Sequence, residues 1–469
     1  MYHQLSIDNA QTEQIIQQVV AEAKRFLANL SILPAGAAVP SQSVTMPLPE
    51  DGLGALNALS YFKEQYAPWL SGSVGARYYG LVTGGVTPAA LAGDWLVSLY
   101  DQNNVGADES IAPLLELQTL ALLRQLFHLP DSFSGSFVSG ATMSNFVGLA
   151  LARQWVGRQM GVNVAQDGLA LLPSICILSG APHSSIYKAL SMLGLGRGSL
   201  KVVPCLPNRE AVNLAALEEQ LQQLDGQPCI VVANAGTVNT VDFDDLSAIT
   251  ELRTRYNFWM HVDAAFGGFA SCSPQYAHWV QGIAFADSIT IDAHKWLNVP
   301  YDSAMQFTRH PALQAEVFQN AAVYLEQTIS SHNFVHLTPE NSRRFRALPS
   351  WFTLMAYGKQ GYAEIVERNC QLAQWLGEKI NSSQYFQLLA PVRLNGICFT
   401  FRQREHLSLD GVKGYLKELQ EDGAVYLTPT VYAGTPAIRV SISNWRTTQA
   451  DVEIAWGAMQ DRAVQTHHA

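Results

Sequence analysis

Polar residues that could carry chemistry follow three apolar runs of this sequence. His183 comes shortly after SICILS, and Asp263 comes directly after FWMHV. DSITI is followed by Asp292, His294 and Lys295. An amine beside carboxylates and imidazoles is a set of groups that nucleophilic and proton-transfer catalysis uses. Taken singly, each has an ordinary role, because an aspartate after a strand is commonly a helix N-cap and a lone histidine or lysine is commonly a loop or surface residue.

The three segments belong to a stretch in which apolar runs alternate with amphipathic helices. Helical periodicity lies between the runs, for example over 214–224 and 246–256. Continuous apolar strands separated by helices predict a mostly parallel sheet covered on both faces, and ligands of such sheets bind at the carboxyl ends of the strands. The runs are GSFVS (135–139), SICILS (174–179), KVVPC (201–205), CIVVA (229–233), FWMHV (258–262), DSITI (287–291) and SAMQF (303–307).

The pattern divides the chain into three predicted parts. Residues 1–70 form a helical arm and a proline-rich linker, and residues 71–340 form a large domain around the parallel sheet. Residues 341–469 form a smaller α+β domain. In that last part we predict helices over 353–381 and 409–422 and strands near 393–402 and 437–443.

Composition excludes several classes of protein. The 469 residues include 29 Lys+Arg and 39 Asp+Glu, a formal charge of −10, and 48% are hydrophobic. This is globular composition without the positive footprint that nucleic-acid binding needs. The six cysteines are scattered singly, so we expect reduced core thiols in a cytoplasmic protein and no metal site. The long uncharged stretches are broken by prolines or polar residues, so we expect no membrane span.

Six motifs, in this order, resemble pyridoxal 5′-phosphate (PLP) enzymes of the aspartate-aminotransferase fold, also called fold type I. They are most similar to the group II amino-acid decarboxylases, which include the aromatic-amino-acid and glutamate decarboxylases. The resemblance covers about residues 70–469 and implies an α/β fold with PLP as the cofactor. The motifs are SGATMSNFVGLALAR (139–153), APHSSIYKA (181–189), NAGTVNTVDFDDL (234–246), HVDAAFGG (261–268), DSITIDAHKW (287–296) and NSRRFRALPSW (341–351).

The resemblance gives three residues a role in catalysis. Lys295 would hold PLP as an imine, which requires a neutral amine, and partial desolvation favours that form. PLP acts as an electron sink when its pyridine nitrogen is protonated, and Asp263 matches the carboxylate that keeps the proton there. His183 matches the histidine that stacks on the cofactor ring.

The phosphate of PLP needs several N–H donors and little side-chain bulk. SGAT runs directly into a helical pattern, so a helix N-terminus can offer amides and a favourable dipole. The resemblance places the phosphate on Ala141 and Thr142. It also implies that Asp292 and His294 close the same pocket.

Further contacts of the cofactor and the substrate are also implied. The resemblance places Thr237 on the cofactor face and Ala265 beneath the ring, although tight-turn packing would explain both residues equally well. Tyr78 and Tyr79 in the glycine-rich segment before the sheet are candidates for substrate contacts. Arg439 in the C-terminal segment is a third candidate, and ordinary packing is the alternative for all three.

One departure from the family bears on the product. Aromatic-amino-acid decarboxylases carry a loop tyrosine that protonates the intermediate after carbon dioxide leaves. The corresponding stretch here, residues 326–341, contains no tyrosine. We predict that His332 or His336 supplies the proton, with Tyr324 as second choice. In that family, loss of the tyrosine hydroxyl goes with oxidative deamination to an aldehyde, so amine and aldehyde both remain open as products.

The predicted function is PLP-dependent decarboxylation of an L-amino acid to the amine and carbon dioxide. This fold builds its site from two subunits, so we expect a homodimer with shared active sites. The alternatives are a decarboxylation-dependent aldehyde synthase, a sulfur lyase, an aminotransferase, or a PLP-fold binding protein that has lost activity. Retention of Lys295, Asp263 and His183 together argues against the last of these. Aromatic residues near the entrance favour an aromatic over an acidic substrate.

Overall fold

Two β-sheets organise the chain. The computed structural model describes residues 1–37, 47–106, 110–320, 333–402 and 408–468. The larger sheet has seven strands in the order β1-β7-β6-β5-β4-β2-β3. Only β7 runs antiparallel to its neighbours, so the predicted mostly parallel sheet is confirmed. The strands are β1 Ser134–Val138, β2 Ile177–Ser179, β3 Leu200–Val202, β4 Cys229–Asn234, β5 Phe258–Asp263, β6 Ser288–Ile291 and β7 Ala304–Thr308.

The central strands are apolar throughout because both faces of the sheet are covered. Every residue of β4 and β5 is buried. Side chains alternate between two hydrophobic cores, so Phe258 and Met260 pack into one core and Trp259 packs into the other. A continuous apolar run therefore indicated a strand that is buried on both sides.

Helices cover the sheet, and further helices lie at both ends of the chain. They are α1 His3–Ala10, α2 Thr12–Asn29, α3 Ala55–Gln65, α4 Pro88–Tyr100, α5 Ala112–Leu126, α6 Ala141–Gln159, α7 Val164–Asp167, α8 Ser184–Met192, α9 Leu214–Gln223, α10 Leu246–Leu252, α11 Ala293–Trp296, α12 Pro311–Phe318, α13 Ala347–Ser382, α14 Leu409–Asp422 and α15 Gln449–His468. Short 3₁₀ turns lie at Ala67–Trp69, Arg197–Ser199, Gly267–Cys272, Ala277–Val280, Ile283–Phe285 and Phe334–His336.

The second sheet is antiparallel and has its own core. Its order is β10-β11-β9-β8, with β8 Phe386–Leu388, β9 Gly396–Phe401, β10 Thr428–Tyr432 and β11 Thr435–Ser441. Helix α14 covers the predicted range because its ends are well marked. Ser408 accepts a hydrogen bond from the Gly411 N–H, and Gly423 ends the helix at φ 71°.

Helix α13 joins the two cores. Its first half contributes Leu354 and Tyr362 to the core of the large sheet, and its second half contributes Leu376 and Ile380 to the core of the small sheet. A kink at Gly358, with φ 57°, lies between Leu354 and Tyr362 in the first half. The structure gives a sheet-bearing unit on each side of this helix, and the division of the chain at residues 70 and 340 stays a prediction.

Within the described residues, no helix has the length and apolar character that a membrane crossing requires. All six cysteines are free thiols. Helix α2 has an apolar stripe but no buried residue, and Ile16 and Val19 on it are exposed. The described part of the chain therefore leaves an unpartnered apolar face near its N-terminus.

Candidate active site

A cleft of about 340 Å³ lies at the carboxyl ends of the parallel strands. Strands β1, β2, β4, β5 and β6 each lead into a segment that lines it, and Arg439 reaches it from β11 of the small sheet. The structure thus brings together every residue that the resemblance assigned to the cofactor. These are Ala141, Thr142, His183, Thr237, Asp263, Ala265, Asp292, His294 and Lys295.

The N-terminus of α6 faces the cleft. Gly140 precedes the helix, and no side chain among the described residues caps it. The first N–H groups of a helix have no partner within the helix, and a 19-residue helix adds a favourable dipole for an anion. Ala141 and Thr142 therefore fit a phosphate group, with amide donors and little bulk.

Lys295 lies on the short helix α11, directly after β6. Its Nζ is 3.5 Å from Asp292 Oδ2 and 5.6 Å from the centre of the Phe266 ring. The glycine-rich segment before the sheet packs against this turn so closely that a Cβ on Gly84 would lie 1.6 Å from the Lys295 carbonyl oxygen. Only glycine fits there, which explains one feature of the RYYGLVTGG segment.

Asp292 and His294 form a second group beside the lysine. Nδ1 of His294 accepts a hydrogen bond of 3.2 Å from the Ser303 N–H, and its Nε2 lies 3.2 Å from Asp292 Oδ1. The ring of Tyr301 packs on His294 with 4.2 Å between the centres. Burial raises the pKa of Tyr301, so its hydroxyl, 3.1 Å from Thr83 Oγ1, keeps its proton.

Asp263 ends β5 and is only 7% exposed. Its Oδ2 accepts a hydrogen bond of 3.1 Å from Asn145 Nδ2, and its Oδ1 accepts one of 3.2 Å from the Ala265 N–H. These two hydrogen bonds orient the carboxylate that a protonated pyridine nitrogen would face. Sequence reasoning missed Asn145. Its position three residues after Thr142 on one helix was the available signal, because residues spaced by three share a helix face.

His183 is the N-cap of α8, and its ring is held from one side. Nδ1 accepts a hydrogen bond of 3.3 Å from the Ser185 N–H and lies 2.8 Å from Ser185 Oγ. Burial lowers the pKa of His183, and the positive charges of Lys295 and Arg439 lower it further, while Asp263 opposes them. The imidazole is therefore neutral at neutral pH.

Thr237 and Arg439 line the cleft in different ways. The Thr237 hydroxyl donates a hydrogen bond of 2.6 Å to Glu210 Oε2, so its proton is already committed. Arg439 Nη1 donates a hydrogen bond of 3.0 Å to the Val238 carbonyl. Burial lowers the pKa of Arg439, which marks a desolvated cation at the cleft. An anionic group of a ligand would compensate that charge.

The two tyrosines proposed as substrate contacts lie elsewhere. Tyr78 stacks on Tyr426 with 4.5 Å between ring centres, and burial raises the pKa of Tyr78 to about 12. Tyr79 is 1% exposed and belongs to the core of the small sheet. Neither is among the residues that line the cleft. From this segment, Leu81 and Val82 line the cleft instead.

Of the three predicted proton donors, the structure describes only His336. Tyr324 and His332 lie outside the described residues. The His336 side chain is buried, and its Nδ1 accepts a hydrogen bond of 3.0 Å from the Asn320 N–H. The residues that line the cleft do not include His336.

Comparison with known proteins identifies the family of the chain. A family model described as the pyridoxal-dependent decarboxylase conserved domain matches residues 69–402. The chain is 28% identical over 352 residues to an aromatic-L-amino-acid decarboxylase from Bacillus atrophaeus, which covers 73% of this chain and 71% of the relative.

Two solved structures share the fold at low sequence identity. The Oryza sativa TDC, solved with PLP and tryptamine, has a TM-score of 0.89 at 20% identity and covers 97% of this chain and 98% of that one. The Rhodiola rosea 4-hydroxyphenylacetaldehyde synthase has a TM-score of 0.82 at 20% identity and covers 99% of both chains.

Proposed function

The chain belongs to the pyridoxal-dependent decarboxylase family and is a PLP-dependent amino-acid decarboxylase, and we propose that its substrate is an aromatic L-amino acid and its product the amine. The observation that supports the site assignment is the convergence of the nine predicted cofactor residues on one cleft. This convergence would not be expected if the motifs served only the packing of the sheet.

The residues around the cleft fit the cofactor. The N-terminus of α6 would hold the phosphate, Asp263 would face the pyridine nitrogen, and Lys295 would hold the aldehyde carbon. Bound there, PLP supplies an electron-accepting ring for the pair left by breaking the bond between Cα and the carboxylate. Asp263, whose two carboxylate oxygens accept hydrogen bonds from Asn145 and the Ala265 N–H, would hold the proton of the pyridine nitrogen.

The substrate side of the cleft is partly apolar. Leu81, Val82 and Phe266 line it, and they would pack against an aromatic side chain. The relative from Bacillus atrophaeus is named for aromatic substrates, and the Oryza sativa structure holds an aromatic amine. Both relatives support the same substrate class for this chain.

We assign the α-carboxylate of the substrate to Arg439. Its guanidinium is desolvated at the cleft, and within the described residues the hydrogen bond to the Val238 carbonyl is the one the structure gives it. Replacing Arg439 by Gln should raise KM for the amino acid about ten- to hundredfold, since a charge-assisted hydrogen bond is lost. Inhibition by the product amine should stay unchanged, because the amine has no carboxylate.

A second candidate function is decarboxylation with oxidative deamination to an aldehyde. Residues 326–341 contain no tyrosine, which is the feature that favours this outcome. For amine formation, a proton must reach Cα after carbon dioxide leaves. We assign that proton to His332, with Tyr324 as second choice, since the structure keeps His336 outside the cleft.

We also propose that the protein is a cytoplasmic homodimer with shared active sites. The exposed apolar residues Ile16 and Val19 of α2 would be covered by a second copy. The six free thiols fit a reducing compartment. Light scattering of the purified full chain should give twice the mass of 51.4 kDa, and a monomer at micromolar concentration would contradict the dimer.

The function is tested by incubating the PLP-loaded enzyme with each of the twenty L-amino acids. We expect carbon dioxide and the amine in equal amounts from aromatic substrates, and none from a Lys295→Ala control. Aldehyde with ammonia and hydrogen peroxide would select the second candidate. Keto acid without carbon dioxide, or no turnover of any amino acid, would contradict decarboxylation.

A further inference from the structure

A chain of buried hydrogen bonds runs from the interior of the large sheet to the cleft. It begins at Trp259, whose indole N–H donates a hydrogen bond of 2.9 Å to Ser288 Oγ. Ser288 Oγ lies 2.7 Å from His261 Nδ1, and His261 Nε2 lies 2.9 Å from Asn145 Oδ1. Asn145 Nδ2 is 3.1 Å from Asp263 Oδ2 and 3.1 Å from Ser185 Oγ. None of these groups was predicted from the sequence except Asp263.

The donors and acceptors in this series of hydrogen bonds allow only one direction of donation. An amide oxygen can only accept, so His261 Nε2 carries a hydrogen and donates it to Asn145 Oδ1. Burial lowers the pKa of His261 to about 4, so the neutral ring has no second hydrogen and its Nδ1 accepts from Ser288 Oγ. The indole N–H of Trp259 can only donate, so Ser288 Oγ accepts that hydrogen while donating its own.

The same direction is imposed from the cleft end. An ionised carboxylate can only accept, so Asp263 requires the NH₂ group of Asn145 on its side. The second hydrogen of that group is donated to Ser185 Oγ, and Ser185 donates its own proton to His183 Nδ1. The Ser185 backbone N–H also donates to Nδ1, at 3.3 Å. Nδ1 is therefore an acceptor, and the hydrogen of the neutral His183 ring lies on Nε2.

We propose that Asn145 is a positioning residue that fixes the hydrogen of His183 on Nε2 and orients the Asp263 carboxylate, with Trp259, Ser288 and His261 fixing the direction of its amide. His183 and Asp263 are assigned to different functions at the cofactor, and Asn145 bonds directly to Asp263 and, through Ser185, to His183. The described part of the chain gives His183 Nε2 no hydrogen-bond partner, which leaves its N–H for a ligand.

The packing around His261 supports a dedicated arrangement. A Cβ at position 148 would lie 2.6 Å from His261 Cε1, so Gly148 on α6 gives this ring its space. His261 and Asn145 are both fully buried. A buried polar network in which every group is paired allows one arrangement of its donors and acceptors. An apolar core of the same volume could not fix which nitrogen of a histidine carries the hydrogen.

The first test compares ¹⁵N NMR spectra of histidine-labelled full chain, both without and with PLP. The His183 signals are assigned by their loss in His183→Gln. The native chain should show His183 with a protonated Nε2 and an unprotonated Nδ1 in both states. In Asn145→Asp an oxygen faces Asp263 and Ser185, so His183 should show a mixture of tautomers or a second proton. The inference rests on the proposed site, but the spectrum without PLP tests it independently of any substrate.

Kinetics give a second measurement on the same variant. We expect kcat of Asn145→Asp to fall about ten- to hundredfold, as for loss of a hydrogen bond to a charged group, with KM changed less because Asn145 does not line the cleft. The matched control is Gln154→Glu on the same helix. Gln154 is also fully buried, and it bonds to Asn163, Glu316 and the Ala165 N–H, away from the cleft.

The control should leave the His183 signals and kcat unchanged even if it lowers stability. Unaltered His183 signals and a kcat within twofold of native in Asn145→Asp would overturn the inference. If that variant does not fold, Ser185→Ala decides, since it removes the hydroxyl that connects Asn145 to His183 Nδ1. A mixture of His183 tautomers in Ser185→Ala supports the inference, and native signals contradict it.

Discussion

Two buried polar clusters of this structure differ in whether their charged groups are paired within the protein. In the first, Glu116 and Arg343 form an ion pair of 2.9 Å with side chains that have no solvent exposure. Arg343 also donates to the carbonyl oxygens of Asn104 and Phe137, at 2.9 and 2.7 Å. In the second, the hydrogen bonds around Asn145 end at Asp263 and at the cleft.

This difference indicates that the first cluster stabilises the fold and the second serves the cleft. In the Glu116 cluster the carboxylate and the Arg343 guanidinium neutralise each other. Their hydrogen bonds connect α5, β1 and the segment before α13. The cleft cluster ends in Asp263, whose negative charge has hydrogen-bond donors but no cation from the described chain within ion-pair distance. A charge that the protein stabilises without pairing is available to a ligand. Mutations in the cleft cluster should therefore lower kcat, and mutations in the Glu116 cluster should lower the free energy of unfolding.

The largest effect is expected for Asp263→Asn. Loss of the negative charge opposite the pyridine nitrogen weakens the electron sink, and we expect kcat to fall by about a hundred- to thousandfold. The fold should persist, because an amide can occupy the same space. Carbon dioxide release under saturating substrate measures the effect.

Asp287→Asn is the matched control, as Asp287 is also buried but pairs with Arg253 outside the cleft. Its kcat should stay near native. A near-native kcat in Asp263→Asn would assign the electron-sink role to another residue.

Breaking the closed cluster should cost stability instead. Glu116→Gln leaves the Arg343 charge buried without its carboxylate, and we expect the free energy of unfolding to fall by about 3–5 kcal/mol. Urea unfolding measures this loss. The absorption spectrum of bound PLP and the kcat per folded molecule should not change. Lost PLP binding in the folded variant would show that the two clusters are not separate.

The sequence predicted the strands of the large sheet better than those of the small sheet. The strands that carry the cleft were predictable, because strands buried on both faces are continuous apolar runs, and each of the seven predicted runs overlaps an observed strand. The strands Phe386–Leu388 and Thr428–Tyr432 were missed, since β8 is short and β10 alternates between buried and exposed positions around a proline.

Within the site, motif residues were predictable and their supports were not. Lys295, Asp263 and His183 stand beside strand ends in recognisable motifs, and the structure places them on one cleft. Asn145 and Ser288 pair with residues far along the chain, and a contact of that kind leaves no periodic pattern in one sequence. Tyr79 was proposed for the cleft from its neighbours in the sequence, but it faces the core of the small sheet.

The smallest effect concerns pH. Because burial and nearby cations lower the pKa of His183, the folded protein binds its proton less readily than the unfolded chain does. His183 therefore makes the folded state lose stability as the pH falls below the ordinary histidine value of about 6.5. Urea unfolding between about pH 7.5 and 5 should show a weaker loss in His183→Gln than in the native chain. Identical pH slopes would contradict a lowered pKa.

The central claim is that the cleft at the strand ends holds PLP through Lys295. The most direct measurement is reduction of the PLP-loaded enzyme with borohydride, followed by proteolysis and peptide mapping by mass spectrometry. We predict that the pyridoxyl group is found on the peptide that contains Lys295, and that Lys295→Ala carries none. Labelling of Lys188 or Lys201 in place of Lys295 would contradict the account.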